Sequence, residues 1–154
     1  MAASVPVRNH SEPRDLTIKC IATIGASGAA TLQYWNPVTQ AYAAAGSSGW
    51  GGVKTFAHTG ATGSGQYLVT LDRTYSRVYG AEVSLIATTG LPGASQAAIL
   101  AANLAALSKI SSFTLQFSAP SCATTGATGA TGGLVATDPA NGDVLLIDVL
   151  VDNS

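Results

Sequence analysis

Charge is what this chain has least of. Asp, Glu, Lys and Arg make up 10% of its 154 residues, against about 25% in an ordinary soluble domain. The seven basic residues are scattered from Arg8 to Lys109 without a run, and the net charge is −1. A basic patch for nucleic acid is therefore disfavoured, and no nucleic-acid partner is expected. Long apolar runs are also missing. The longest, Ala97 to Leu107, is interrupted by Asn103 and is too short to span about 30 Å of hydrocarbon, so no membrane partner is expected. No apolar stretch of signal-peptide length follows Met1, and no signal peptide is expected.

Groups that carry chemistry are equally sparse. The two cysteines, Cys20 and Cys122, do not make a disulfide framework, and two small buried thiols or one bond between them both remain open. His10 and His58 are the only histidines, and neither H-x-x-x-H nor C-x-x-C spacing occurs, which argues against zinc. The chain has no G-x-S-x-G elbow, no phosphate-binding G-x-x-x-x-G-K-[ST] loop and no dinucleotide fingerprint. Asp138 and Asp143 flank a turn, but the segment lacks the acidic density that calcium requires. No catalytic residue, metal or cofactor is expected, and an enzyme is the least favoured class.

What is present is β structure. A length of 154 residues fits one domain with its own core. Residues 1–15 are polar and proline-punctuated, carrying Arg8, His10 and Arg14, and are expected to form an extended arm laid on a partner. Residues 16–154 are expected to form a single β-sandwich. Leu16, Ile18, Cys20 and Ala22 alternate with Thr17, Lys19, Ile21 and Thr23, the period of a strand. Gly25 to Gly28 breaks it, and Ala30 to Trp35 returns, which predicts a hairpin. Further strands are predicted over Val53 to His58, Gln66 to Leu71, Val78 to Thr88 with a bulge at Gly80, Ser112 to Ala119, and Leu134 to Ala136. Phe113, Leu115 and Phe117 mark one face of the strand at 112–119. The Gly-rich stretches at 59–65 and 126–132 predict flexible turns or loops.

Three further features bear on architecture and contact. Ser95 to Lys109 is Ala-rich, with Leu100, Leu104 and Leu107 at helical spacing, and predicts the one helix. Asn141-Gly142 predicts a type I′ hairpin turn before the last strand. That strand, Val144 to Val151, is apolar at almost every position, the pattern of a strand covered on both faces, which places Asp148 at a subunit interface or near an edge. Arg73 and Arg77 bracket Tyr75. These three are candidates for gripping a carboxylate on a partner, the alternative being local pairing with Asp72.

So little charge suggests that much of the surface is covered by partner chains, although a Ser, Thr and Gly surface would also account for it. Two segments then carry a resemblance. Gly65 to Tyr75 followed by Gly80 to Leu85, and Asp138 to Ser154 with its Asn-Ser ending, resemble stretches of small tailed-phage virion proteins. The resemblance implies a capsid decoration, or cement, protein with a jelly-roll-like fold. It implies a location on the outer surface of a bacteriophage capsid, the major capsid protein as partner, and self-association as a homotrimer. Arg8, His10, Arg14, Arg73, Tyr75 and Arg77 are the candidate contact residues. A tail fibre-tip or receptor-binding module, with Trp50 and Tyr42 as exposed aromatics, is the first alternative. A carbohydrate-binding sandwich is the second.

Overall fold

The computed structural model describes residues 15–36, 38–44, 52–87, 96–100, 109–121 and 133–152. Within them the chain runs through ten strands: β1 (Asp15–Ile24), β2 (Ala30–Asn36), β3 (Ala41–Ala44), β4 (Val53–Thr59), β5 (Gln66–Tyr75), β6 (Arg77–Ile86), β7 (Gln96–Ile99), β8 (Ile110–Ser121), β9 (Gly133–Ala136) and β10 (Val144–Asp152). They form two antiparallel sheets. Sheet A has the order β3-β2-β1-β10-β6, and sheet B the order β4-β5-β8-β7, with β9 also paired to β8. Phe117 donates its amide to Gly65 O and accepts from Thr137 N, so β9 continues along the edge of β8 where β5 begins.

The period-two pattern of the sequence selects the core. On β1, Ile18, Cys20, Ala22 and Ile24 point inward. On β10, Leu145, Ile147, Val149 and Val151 do so and are wholly buried. Sheet B answers with Val69, Leu71, Phe113, Leu115 and Phe117, and with Phe56 stacked on Tyr67 at 4.9 Å between ring centroids. Tyr67 also meets the Phe117 ring edge-on at 5.3 Å. Inner faces of both sheets thus share one hydrophobic core, a β-sandwich. Each fully buried aliphatic side chain contributes about 1.5–3 kcal/mol relative to exposure.

Several expectations need correction. The Ala-rich segment is not helical where it is described: Gln96–Ile99 is β7, paired with Leu115–Ser118 of β8. Alternation wins there, because Ala97 and Ile99 pack on the core while Gln96 and Ala98 face out. Residues 101–108 of the expected helix lie outside the described residues. The Asn141-Gly142 turn is real, closed by Asp143 N donating to Ala140 O at 3.0 Å. Yet only Gly142 has positive φ, at 91°, whereas type I′ needs it at both central positions. The turn also joins no hairpin: it carries the chain from β9 in sheet B to β10 in sheet A. Sheet A has one Greek-key-like order, with β10 returning beside β1 of the β1-β2-β3 meander. Sheet B sets the pairs β4-β5 and β7-β8 side by side and does not repeat it, so the sandwich is shown and the second Greek key of a jelly roll is not.

Other expectations hold. The β1-β2 hairpin forms with Ile24 opposite Ala30. The bulge near Gly80 is present, because Leu150 pairs with Gly80 and Val151 with Val78, leaving Tyr79 as the extra residue. Cys20 is a buried free thiol; Cys122 lies outside the described residues. Burial, helped by the charge of Asp148, pushes the Cys20 thiol up to about 12. Since the thiolate is the reactive form, Cys20 in a Cys122→Ser chain should resist thiol reagents while folded and react on unfolding. Labelling followed by mass spectrometry across a urea series checks this, and rapid labelling of the folded chain would contradict it.

Candidate interaction surface

The outer face of sheet A follows from the inner one. Because β10 buries its odd-numbered residues from 145 to 151, Val144, Leu146, Asp148, Leu150 and Asp152 point away from the core. Register puts Thr23, Ile21, Lys19 and Thr17 of β1 beside the first four. On the other side stand Ile86, Ser84, Glu82 and Gly80 of β6. Leu146 is 37% exposed, Leu150 40%, Ile86 48% and Tyr79 51%. This corrects one expectation: β10 is an interior strand, flanked by β1 and the edge strand β6, and the chain itself covers only one of its faces. Asp148 stands one strand in from the β6 edge, on the open face of the sheet.

A charged row crosses that face, Lys19 on β1, Asp148 on β10 and Glu82 on β6. Lys19 Nζ donates to Asp148 Oδ2 at 3.0 Å. The pair is exposed, so its own contribution is small, about 0–1 kcal/mol. Glu82 stands directly across from Asp148, a like-charge juxtaposition that costs stability. Lys19 pairs with Asp148, while among the described residues Glu82 has no ion-pair partner. Beside the row, Gly80 leaves open space above the backbone. A shallow depression of about 490 Å³ forms there, bordered by Thr17, Lys19, Gly80, Glu82, Asp148 and Leu150.

A second cluster lies at the end of the sandwich where the β4-β5 turn meets the approach to β10. Asp138 accepts from Gly63 N at 2.6 Å, Gly65 N at 2.7 Å and the His58 ring nitrogen Nε2 at 3.0 Å. Partial burial pulls its carboxyl up, but the two backbone amides and the His58 side chain outweigh this and hold it below the ordinary value. Asp143 is fully buried, and its Oδ2 accepts from Ala140 N at 2.8 Å. Both carboxylates are thus engaged by backbone amides. Among the described residues no group of three or more His, Cys, Asp and Glu side chains gathers to hold a metal ion.

The expected contact residues divide. Tyr75 is 1% exposed, with its hydroxyl donating to Asp72 Oδ1 at 3.0 Å. The Arg73 guanidinium lies over the Tyr75 ring at 5.5 Å and its Nε sits 3.9 Å from Asp72 Oδ1. That is the local arrangement, with Arg73 still exposed. Arg77 is exposed on β6 opposite Asp152. Arg8, His10, Arg14 and Trp50 lie outside the described residues. Comparison with protein-family models, with curated proteins and with solved structures returns no match. The surface itself therefore carries the functional reading.

Sequence pattern did not single out the row of Lys19, Asp148 and Glu82, because it arises only when the first strand pairs with the last. Nor did it single out the carboxylate of Asp138 as the anchor of the 60–65 turn. The available signal was an aspartate directly before a proline, in a segment otherwise poor in charge.

Proposed function

We propose that this chain is a non-enzymatic virion structural protein, a decoration or cement protein that binds the outer surface of a bacteriophage capsid and stabilises contacts between capsomers. The observation that carries the reading is the mismatch on β10. Its sequence is that of a strand buried on both faces, yet in the single chain Leu146 and Leu150 are two-fifths exposed beside half-exposed Ile86 and Tyr79. An outer sheet face that carries exposed Leu146, Leu150, Ile86 and Tyr79 around one charged row, in a chain with 10% charge, suits the surface of a subunit better than that of a solitary domain. Such a protein acts by area covered, at about 25 cal/mol per Å² of apolar surface before association costs. The major capsid protein is the partner, and residues 1–15, with Arg8, His10 and Arg14, add reach along the shell. The jelly-roll kinship belongs to the same proposal, and so does self-association.

A cryo-EM map of the assembled particle tests it. The expected result is many copies on the outside of the head and lower occupancy after deletion of residues 1–15. Density confined to the tail would overturn it in favour of the fibre-tip reading, which draws on Tyr42, half exposed on the edge strand β3. Undiminished occupancy after the deletion would remove the role given to the arm.

A further inference from the structure

We infer that Asn141 is a modification site: its side-chain amide is lost to water when the joint between β1 and β10 opens, and the closed fold protects it. This site stands apart from the decoration reading and does not depend on it. Chemistry selects the residue. Of the five asparagines, Asn9, Asn36, Asn103, Asn141 and Asn153, only Asn141 precedes a glycine. An asparagine sheds its amide when the next backbone nitrogen attacks its side-chain carbonyl carbon, and glycine, which has no Cβ, obstructs that approach least. Asn36 is barred from this route, because Pro37 has no N–H to give up.

The step balances with water as the only co-reactant. The Gly142 amide passes its proton to hydroxide, and its nitrogen attacks Asn141 Cγ. A C–N bond closes a five-membered imide, the bond from Cγ to the side-chain nitrogen breaks, and ammonia leaves, taking a proton from water. Water then adds to one of the two imide carbonyls and opens the ring. Opening on one side gives aspartate. Opening on the other gives isoaspartate, in which the main chain runs through Cβ and Cγ. Either product has a carboxylate in place of the neutral amide and is about one mass unit heavier.

The native turn holds the reacting atoms apart. Asp143 N donates to Ala140 O at 3.0 Å, and of the two central residues only Gly142 has positive φ, at 91°. That is the pattern of a type II turn. Its first central residue, Asn141, has ψ of about +120°, which turns the Gly142 nitrogen about 120° from the eclipsed position over Cβ that the ring requires. Gly142 N also keeps its proton on Ile24 O at 2.7 Å, and Ile24 N donates to Asp143 O at 2.9 Å. Asn141 itself is exposed, so access of water does not limit the reaction. The rotation does, and it requires the bonds to Ile24 to break. Amide loss therefore runs from an open state, at a rate set by how often that state is visited.

The product fits the closed joint poorly. Its new carboxylate stands two residues from Asp143, which is fully buried. Isoaspartate also lengthens the main chain inside a turn that Asp143 closes twice, with its amide on Ala140 O and its Oδ2 on Ala140 N. An opening of the start of β10 is thus recorded in the covalent structure, and the recorded chain opens more readily the next time.

Incubation of the full chain at mildly alkaline pH, in buffer and in unfolding guanidinium chloride, tests this, with peptide mapping by mass spectrometry as the readout. In denaturant Asn141 should be the first asparagine to change. In buffer it should change about a hundredfold more slowly, or slower still. The modified chain, once purified, should have an unfolded fraction about tenfold above that of the parent at one denaturant concentration. Asn141→Ser should gain no mass at this position and should keep its stability through the same incubation, which separates amide loss from other damage. Equal rates in buffer and denaturant would overturn protection by the fold. Faster loss at another asparagine in denaturant would overturn the choice of site. A modified chain as stable as the parent would overturn the poor fit of the product.

Discussion

Gly65→Ala should destabilise the fold by about 3 kcal/mol or more, although it adds a single methyl group. Gly65 is buried with φ +65°, a conformation disfavoured for any residue bearing a Cβ. An added Cβ would collide with the backbone carbonyl oxygen of Phe117 and come within 2.7 Å of Gln116 Nε2 and 3.0 Å of Thr137 N. These neighbours have little room to give. Gly65 O accepts from Phe117 N at 2.7 Å, and Thr137 N donates to Phe117 O at 3.2 Å. The clash thus falls where β5 begins against β8 and β9 takes over along the same edge. Gly63→Ala is the control: it shares the positive φ, at 83°, but its Cβ would meet nothing within 4 Å. It should cost about 1 kcal/mol. Urea unfolding compares them, with a fall in midpoint at constant slope as the readout. If both variants lose the same amount, crowding at Gly65 is not what restricts the site.

The difference between these two glycines was invisible in the sequence, where both belong to one Gly-rich turn that reads as flexible. What separates them is contact with segments some 50 and 70 residues further along. The same boundary runs through the whole molecule. Alternation within a strand is local, so the inward sets Ile18, Cys20, Ala22 and Phe113, Leu115, Phe117 were legible, and so was the bulge at Gly80. Alanine at 97 and 98 carries little side-chain information, and helical spacing of Leu100, Leu104 and Leu107 outweighed the short alternating stretch that β8 captures as β7. β10 was legible as a strand but not as the partner of β1 and β6 in sheet A, since pairing of the first and last strands is a property of topology. Asp148 was accordingly noticed as out of place, while Lys19 and Glu82, its neighbours across the sheet, were not. Sequence also foresaw Arg73 and Tyr75 as a unit, and the structure pairs that unit locally with Asp72, burying Tyr75 and leaving Arg73 exposed.

Asp138→Ala should cost about 2–4 kcal/mol at neutral pH, and the loss should depend on pH in a way that identifies the group. The carboxylate receives two backbone amides and the His58 ring, and its side chain is only 17% exposed. Removing it leaves the amide of buried Gly65 without its acceptor, which is the expensive half of the change. Partial burial acting alone would raise the Asp138 value; the three hydrogen bonds reverse that and set it below the ordinary 3.8. A depressed carboxylate stabilises the fold fully above its unfolded value and loses that stabilisation as pH falls through the folded one. The parent chain should therefore hold a plateau from neutral pH down to about pH 4 and lose stability below it. Asp138→Ala should start lower and lack this component of the acid limb, so that the two chains converge in acid. Thermal unfolding followed by circular dichroism from neutral to acidic pH reads both curves. Parallel acid limbs would mean that another carboxylate governs acid unfolding and that Asp138 is not what pins the turn at 60–65. Convergence would mean that the one aspartate next to Pro139 ties the β4-β5 turn to the approach of the last strand, and through it sheet B to sheet A.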